Sequence, residues 1–352
     1  RRIITSGGDV FRDEYSLAFD GTDDYLSIAE TTLSVHDTAY SFAFWIKLKE
    51  IGGWHPIIGD DDNFYNFISI DTDNDRLMVE GSDGDAIEWT TADDPLNLNT
   101  WIHFAICLDG SGSGKAYQDG VELSIANDTI GSDIVFRYIG RAFNQYAFYN
   151  FSELVVYDTQ LSQSQVRTIY NGRESYNHKE GVASSNLIRW WRMGDGKFDE
   201  FKNVQGLITD EVTPTMSSQI IADGGFDTAV AESTSGTAHA TYDGGGDSNT
   251  QLESVTNASL IDEAVHQVNF TLTDTGGGGV YVRVCGGSFS LVTGTGVKTI
   301  YLVAGTSANR LTFETGDDDK AFIIDNVSVY KVNGNPGVMV NMAADDFIGD
   351  TP

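Results

Sequence analysis

The amino-acid sequence predicts an all-β protein made of two antiparallel β-sandwich domains. The chain has 352 residues, enough for two domains that each bury a core. Its 40% hydrophobic and 21% charged residues are typical of a globular protein. Glycine is frequent (38 residues), proline is rare (5 residues), and aromatic and β-branched residues recur between Gly, Asp and Asn turns, which favours short strands.

The first part of the chain reads as a series of short strands. Alternating apolar segments begin at Tyr15 and recur about every ten residues, as in β-sandwiches. Asp119-Gly120 is a favoured hairpin turn. Residues 71–75 start like a calcium loop, but Arg76 and Ser82 stand where an EF-hand requires Gly and Glu, so a turn is predicted there too. The predicted strands are residues 15–19, 25–28, 41–48, 57–58, 67–70, 77–79, 87–89, 101–108, 115–118 and 154–157.

One short helix is predicted over residues 163–171. Ser162 and Gln165 have the spacing of a capping box, in which each side chain bonds the backbone N–H of the other residue. Leu161 and Val166 stand at the positions of a hydrophobic staple, and a glycine follows the predicted end.

A second series of strands follows a change of composition near Thr213. Beyond this point the chain is richer in Gly, Thr and Ser. The glycines at 276–279 are predicted to be a hairpin tip, because a phosphate-binding loop needs a helix after it. The predicted strands are residues 264–272, 280–285, 299–304, 310–314 and 321–330.

The strong negative charge limits the partners of this protein. The chain has 21 basic and 52 acidic residues, a net charge of −31, and such a surface repels a phosphate backbone. No nucleic-acid binding is therefore expected. No segment approaches the ~20 apolar residues of a membrane span, so no membrane insertion is expected. Cys107 and Cys285 lie in separate strand-like segments and are expected to be buried free thiols.

The sequence shows no catalytic pattern. Glycosidases hold two carboxylates across a cleft, about 5–5.5 Å apart in retaining enzymes. Glu153 and Asp158 are five residues apart, so they are expected to project from opposite faces of a strand. The histidines form no His-x-x-x-His pair, and no Gly-x-Ser-x-Gly motif occurs. A non-enzymatic protein is predicted.

Four aromatic residues in loop-like surroundings are candidates for contact with a sugar. Aromatic rings stack on the C–H faces of sugars, while amides and carboxylates bond the hydroxyl groups. The same residues also suit packing at a rim or a contact between subunits, and the sequence leaves both readings open. The candidate carbohydrate-binding residues are Trp54, Tyr65, Tyr146, Tyr149 and Asn144. The tryptophans predicted to lie in the core are Trp45, Trp101, Trp190 and Trp191.

Several ordered motifs in the first part of the chain point to a known superfamily. They are Ser16–Leu26, Ser41–Ile46, Thr100–Phe104, Tyr117–Gly120, Tyr138–Arg141 and Glu153–Asp158. This series resembles the laminin-G-like, concanavalin A-like lectin/glucanase superfamily. The resemblance implies a jelly-roll sandwich.

Two later segments resemble the closing strands of jelly rolls in tailed-phage structural proteins. Asn186–Gly196 contains Trp-Trp-Arg-Met-Gly-Asp-Gly, and Gly337–Ile348 contains an Asn-Met pair followed by two aspartates. In related domains the first of these segments precedes the Ser-Leu-x-Phe-Asp-Gly strand, whereas here it follows the helix. A sandwich with adjoining termini tolerates such permutation. Strand 338–342 is therefore expected to pair near the sheet begun by strand 15–19, in the same subunit or in a neighbour.

This topology makes the second sandwich an insertion near the C-terminus of the first. The predicted first domain is a laminin-G-like jelly roll of residues 1–212, completed by residues 335–352. The predicted inserted domain spans residues 213–334. Both are antiparallel jelly-roll β-sandwiches.

The inserted segment resembles jelly-roll carbohydrate-binding modules at its two ends, Ile220–Asp227 and Ala321–Tyr330. The Gly-Trp pair of many such modules has no counterpart here, and the absence of any tryptophan from this segment weakens the case for aromatic stacking of a sugar on it. The resemblance implies a structural calcium ion held by Asp227 and Asp325. A solvated turn aspartate and a hydrogen-bonding aspartate are the alternative interpretation.

The resemblances imply a phage virion structural, decorating or appendage protein that displays lectin-like domains for attachment or stabilisation. The alternative is a glycan-binding adhesin, either phage receptor-binding or secreted by a bacterium. The expected partners are other virion proteins or copies of the chain itself, and host surface glycans. The expected location is the surface of the virion.

Overall fold

The computed structural model describes residues 11–61, 65–92, 96–171, 174–196, 199–202, 205–212, 214–221, 228–229, 233–235, 239–242, 251–254, 260–274, 278–307, 309–314 and 322–352. Within these ranges the protein is all-β apart from one α-helix and two short 3₁₀-helices, which confirms the predicted fold class. No helix in the same ranges has the length and apolar character needed to cross a bilayer.

The described residues before residue 209 form eighteen strands. In chain order they are β1 (Ser16–Ala18), β2 (Tyr25–Leu33), β3 (Ala39–Leu48), β4 (Trp54–Gly59), β5 (Phe67–Asp71), β6 (Arg76–Glu80), β7 (Ala86–Thr90), β8 (Ile102–Asp109), β9 (Gly114–Gln118), β10 (Val121–Glu122), β11 (Ser124–Asp128), β12 (Ile134–Ile139), β13 (Arg141–Ala142), β14 (Gln145–Tyr146), β15 (Tyr149–Tyr157), β16 (Leu187–Trp191), β17 (Glu200–Lys202) and β18 (Gln205–Ile208). The helix α1 (Gln163–Tyr170) lies between β15 and β16.

Twelve strands follow in the described part of the rest of the chain. They are β19 (Thr228–Ala229), β20 (Ser233–Ser235), β21 (His239–Tyr242), β22 (Gln251–Glu253), β23 (Val265–Asp274), β24 (Val280–Val284), β25 (Ser290–Val292), β26 (Gly296–Val303), β27 (Leu311–Glu314), β28 (Phe322–Lys331), β29 (Gly337–Val340) and β30 (Phe347–Ile348).

Two antiparallel sheets form the first sandwich. One has eight strands in the order β10-β9-β8-β3-β15-β1-β30, with β16 also paired to β15. The other has ten strands in the order β11-β7-β6-β5-β4-β12-β2-β29-β18-β17. One large apolar cluster lies between them, with Phe44 and Phe104 from the eight-stranded sheet and Leu26 and Ile70 from the ten-stranded sheet. The two sheets therefore share one core, as in a β-sandwich.

Two five-stranded antiparallel sheets form a second sandwich. Their strand orders are β19-β22-β27-β24-β25 and β20-β21-β28-β23-β26. Phe270 and Phe313 meet edge to face in its core, with ring centroids 5.1 Å apart. Cys285 is buried in this second core and Cys107 against the first sandwich, both as free thiols, which confirms that prediction.

The last strands return to the first sandwich. In the ten-stranded sheet β29 lies between β2 and β18, with Leu26 opposite Met339. In the eight-stranded sheet β30 pairs with β1, with Leu17 opposite Phe347. The return had been expected for strand 338–342 beside the sheet of β1; instead β29 joins the opposite sheet, and β30 is the strand that reaches β1. The domain boundaries themselves stay a prediction.

The helix confirms its predicted capping box. The Ser162 side chain accepts a bond from the backbone N–H of Gln165, and the Gln165 side chain accepts from the backbone N–H of Ser162. The helix ends at Tyr170, and the next residue, Asn171, has the left-handed conformation of a C-cap (φ 48°). Val166 and Ile169 pack onto the outer face of the eight-stranded sheet.

Candidate functional site

The candidate site lies on the outward face of the ten-stranded sheet, on β2 and β12. Leu26 and Ile139 are buried in the core. Tyr25 and Tyr138 are their chain neighbours and therefore face outward, because side chains alternate along a strand. Both tyrosines are partly exposed.

A bulge shapes this face. Phe136 pairs with Thr31, whereas Tyr138 pairs with Ser27, so four steps along β2 (31 − 27) match two along β12 (138 − 136). A bulge bends its strand and redirects the side chains near it. It lies beside Arg137, which is also partly exposed.

Three tyrosines surround one arginine at this position. We call Tyr25, Tyr138, Tyr146 and Arg141 the tyrosine–arginine cluster. The guanidinium carbon of Arg141 lies 4.7, 4.8 and 5.4 Å from the ring centroids of Tyr25, Tyr138 and Tyr146. Tyr25 and Tyr138 meet edge to face at 5.2 Å. These are cation–π distances, so the guanidinium fixes the orientation of all three rings.

Ion pairs neutralise the two arginines on this face. Arg141 Nη2 lies 2.6 Å from Asp61 Oδ2. Arg137 Nη1 donates to both oxygens of Asp60, at 2.6 and 2.8 Å, and its other Nη pairs with Glu30. The Asp60 side chain is only 4% exposed, so its contact with Arg137 is shielded from water. The face therefore presents hydrogen-bonding groups without excess positive charge.

The hydroxyls of Tyr25 and Tyr138 stay protonated. Burial raises the pKa of Tyr138 to about 12 and also raises the pKa of Tyr25, where Arg141 acts in the opposite direction. Both hydroxyls are therefore neutral at physiological pH and can donate as well as accept a hydrogen bond.

A cleft of about 510 Å³ opens beside the cluster. One wall is formed by β2 and β12 of the first sandwich, including Tyr25 and Tyr138. The other wall is formed by residues 286–290 and 304–307 of the second sandwich. The volume lies within the usual range of ligand pockets, about 300–1,000 Å³.

The predicted sugar-binding residues do not form one site in the structure. Tyr146 belongs to the tyrosine–arginine cluster. Asn144 is exposed in the turn of the hairpin formed by β13 and β14. Trp54 is 37% exposed, and its ring lies tilted against that of Phe67 with centroids 5.0 Å apart. Its Nε1 donates to Asp71 at 3.1 Å. Tyr65 is 40% exposed and packs against Gly84.

The prediction that Tyr149 contacts a sugar is wrong. It is fully buried, and its hydroxyl donates to the carbonyl oxygen of Pro56 at 2.6 Å. It cannot meet a ligand from outside. The physical reason is that every residue of β15 is buried, because the sandwich core covers one face of this strand and further chain covers the other.

The structure describes one of the two predicted calcium ligands. Asp227 lies outside the described residues. Asp325 is partly exposed on β28, and its Oδ1 accepts from the backbone N–H of Asn326 at 2.7 Å. A carboxylate oxygen is a ligand that calcium prefers, so Asp325 fits the role as one ligand of several.

A separate trio of acids lies in the turn between β1 and β2. Single carboxylate oxygens of Asp20, Asp23 and Asp24 lie within 4.8 Å of one another. Burial raises the pKa of Asp24 to about 7, and the neighbouring carboxylates of Asp20 and Asp346 add to the shift. Lys49 lies close by and donates from Nζ to the carbonyl oxygen of Phe19 at 2.8 Å.

Glu153 is a buried acid of the first sandwich. It lies at a bulge in β15 with a φ of 57°, and it is 4% exposed. It forms a buried carboxyl pair with Asp13, beside Arg192 and His178. Asp158, by contrast, accepts from Asn186 near the surface. The carboxyl pair lines a cavity of only about 10 Å³, roughly one water molecule, which is too small for a sugar ring.

The residues that sequence reasoning missed are Tyr25, Tyr138, Arg141 and Arg137. Three of them were visible as members of superfamily motifs, but only as landmarks of the fold. Tyr25 and Tyr138 come together through the pairing of distant strands, and no local pattern marks that contact.

The comparisons with known proteins bear on the first sandwich. Residues 20–167 match the family model of the concanavalin A-like lectin/glucanases superfamily (Laminin_G_3). This region is therefore similar in sequence to concanavalin A-like domains. It contains the whole tyrosine–arginine cluster. No curated protein matches the chain.

Several solved structures are similar to parts of this chain. A candidate carbohydrate-binding protein from Bacteroides ovatus is 17% identical with a TM-score of 0.40, over 57% of this chain and 56% of that one. Trypanosoma rangeli sialidase is 20% identical with a TM-score of 0.29, over 38% and 22%. The CBM40 of Ruminococcus gnavus IT-sialidase is 12% identical with a TM-score of 0.33, over 46% and 99%. The chain thus spans about half of the first protein and about a fifth of the second.

Proposed function

We propose that this protein is a non-catalytic glycan-binding protein whose site is the tyrosine–arginine cluster and the cleft beside it. The observation that carries the proposal is the set of three partly exposed tyrosine rings held around Arg141 at the edge of a cleft of about 510 Å³. The region similar to concanavalin A-like domains carries all four residues.

The chemistry of this face suits a sugar. Aromatic rings offer flat apolar surfaces for the C–H faces of a pyranose, and restrained rings lose little entropy on binding. The neutral hydroxyls of Tyr25 and Tyr138 and the carboxylate of Glu30 can exchange hydrogen bonds with sugar hydroxyls. Glu30 is held in an ion pair with Arg137, which fixes the position of its carboxylate as an acceptor in this cleft.

Binding to a glycan array tests the proposal. We expect a set of glycans to bind the wild type and to lose about tenfold or more in affinity with Tyr138→Ala, since a stacking ring contributes roughly 1–2 kcal/mol. Tyr330→Ala is the matched control, because Tyr330 is also a partly exposed tyrosine on a strand but is not one of the residues that line the cleft. Tyr65→Ala tests the other exposed tyrosine that the sequence suggested. If Tyr138→Ala binds as the wild type does and Tyr65→Ala loses affinity, the site lies at Tyr65 and not at the cluster. If the wild type binds no glycan, the proposed function is wrong.

We also propose that the protein is displayed on a bacteriophage virion, where its partners are other virion proteins or copies of itself. Support comes from the two phage-like segments, 186–196 and 337–348, which supply β16, β29 and β30 to the sandwich. Secretion by a bacterium as an adhesin is the alternative. Mass spectrometry and electron microscopy of purified particles separate the two, and particles that lack the chain would exclude the virion role.

A further inference from the structure

The two walls of the cleft come from different sandwiches but are held as one unit. Leu207 and Val338 of the first sandwich share a buried apolar cluster with Val265, Tyr301 and Val332 of the second. Tyr301 is fully buried, and its hydroxyl accepts from Gln267 at 2.8 Å. Because this apolar cluster is packed, the relative position of the two walls is fixed before a ligand binds, which lowers the entropy cost of binding.

The second wall is built from main chain, hydroxyl groups and one exposed ring. A Cβ at Gly287 would lie 2.6 Å from the carbonyl oxygen of Val303, so the close approach of these loops requires glycine there. Ser288 and Ser290 line the cleft on either side of Phe289. Phe289 is 38% exposed, and the guanidinium carbon of Arg283 lies 4.2 Å from its centroid. An aromatic face beside hydroxyls thus recurs on this wall.

The charges of the cleft are not those of a site for acidic sugars. Its charged lining residues are Glu30, Glu263 and Arg137, and Arg137 is already paired with Asp60 and Glu30. The chain as a whole carries a net charge of −31. An anionic ligand would therefore approach against a negative field and meet no uncompensated cation among the described lining residues.

Resting on the proposed function, we infer that the cleft is a joint site of both sandwiches and that it selects uncharged oligosaccharides over sialylated, sulfated or uronic ones. A sugar unit lies between the tyrosine wall and Phe289, and its hydroxyl groups bond the serines and Glu30.

The test uses an array that carries neutral oligosaccharides beside their sialylated and sulfated forms, at low and physiological salt. We expect the neutral forms to bind and the acidic forms to bind at least about tenfold more weakly. Phe289→Ala should weaken binding about as much as Tyr138→Ala, whereas Leu291→Ala, at an equally exposed apolar neighbour, should leave it unchanged. Thermal unfolding of each variant shows that the fold is intact.

Charge reversal gives a second, independent arm. Glu263→Lys should raise the affinity for acidic glycans several-fold at low salt. Glu174→Lys is the control, because it changes the net charge by the same amount. Glu174 lies beside the C-terminal end of the helix, which packs on the opposite face of the first sandwich, so this variant should not raise the affinity for acidic glycans. Preference for acidic glycans in the wild type, or full affinity in Phe289→Ala, would overturn this inference while leaving glycan binding in place. Absence of all binding would overturn both.

Discussion

The side chain of Asn335 bonds both backbone groups of Ala29. Its Oδ1 accepts from the Ala29 N–H at 2.8 Å, and its Nδ2 donates to the Ala29 carbonyl at 3.1 Å. Ala29 lies in the bulge of β2, where the ladder to β12 is interrupted. The amide therefore satisfies backbone groups that the bulge would otherwise leave unpaired in a buried place. Asn335 itself lies just before β29, so the returning chain holds the strand that carries Tyr25.

The first prediction is that Asn335→Ala destabilises the first sandwich. The side chain is 3% exposed. Its loss leaves the Ala29 N–H without its partner and removes one of the bonds of the Ala29 carbonyl and of the Thr31 hydroxyl. We expect a loss of about 2–4 kcal/mol in the free energy of unfolding. All six tryptophans lie before residue 192, so tryptophan fluorescence in urea reports this sandwich.

The matched control is Asn333→Ala, two residues earlier. Asn333 bonds Thr215 at an exposed position, and its replacement should change the free energy of unfolding by less than about 0.5 kcal/mol. Equal effects of the two variants would contradict the role given to Asn335. A weaker glycan affinity in Asn335→Ala, at temperatures where it is folded, is the expected second effect.

The second prediction concerns the buried pair of Asp13 and Glu153. Burial raises the pKa of each carboxyl to about 7, against the partly compensating charge of Arg192. Such a group holds its proton more tightly in the folded protein than in the unfolded chain. Its stabilising contribution is therefore complete below about pH 4 and is lost as the pH rises through about 7.

Neighbouring groups oppose this trend, so the comparison must isolate it. Burial lowers the pKa of His178 to about 3, and the neutral form that folding favours makes stability rise with pH between about 3 and 6.5. Asp195 also adds its charge to the environment of the pair. The free energy of unfolding is therefore compared between wild type and Glu153→Gln at each pH, because the contributions that both proteins share cancel in the difference.

We expect the wild type to lose roughly 1–3 kcal/mol relative to Glu153→Gln between pH 5 and pH 8. Glu14→Gln is the control, because Glu14 is the exposed neighbour of Asp13 and its variant should follow the wild type. Urea unfolding at several pH values measures the difference. Parallel profiles for wild type and Glu153→Gln would show that the pair is ionised throughout.

The third prediction concerns the helix start. Ser162→Ala removes the acceptor for the Gln165 N–H and should cost about 0.5–2 kcal/mol of stability. Ser164→Ala, inside the first turn and exposed, should cost less than about 0.5 kcal/mol. Urea unfolding followed by fluorescence compares the two variants. An equal loss in the free energy of unfolding would contradict the role of Ser162 as the N-cap.

Local rules predicted the helix and several strands of the first sandwich well. A capping box and the alternation of buried and partly exposed residues in the first half of β2 act over a few residues, so the local sequence predicts them. The strand of Tyr149 is different, because both of its faces are covered and the alternation disappears. Tyr149 therefore looked like a loop residue, although it lies in the core.

The site needed long-range information. Tyr25 and Tyr138 are neighbours only because β2 pairs with β12, and the bulge between these strands leaves no mark in the local pattern. Glu153 likewise turns at a bulge where β15 changes its partner from β1 to β16. A one-residue irregularity reverses which face a side chain takes, so strict alternation along β15 does not predict the surroundings of that acid.

The last prediction is the effect of calcium on the second sandwich. If Asp325 is one ligand of a structural ion, calcium binds only the folded protein and raises the unfolding temperature of the second sandwich by mass action. Calorimetry with calcium and then with chelator measures the shift, which Asp325→Asn should abolish and Asp262→Asn, at an exposed acid of the same sandwich, should retain. A shift that survives Asp325→Asn but disappears with Asp23→Asn would assign the ion to the trio of acids between β1 and β2, and an absence of any shift would exclude structural calcium.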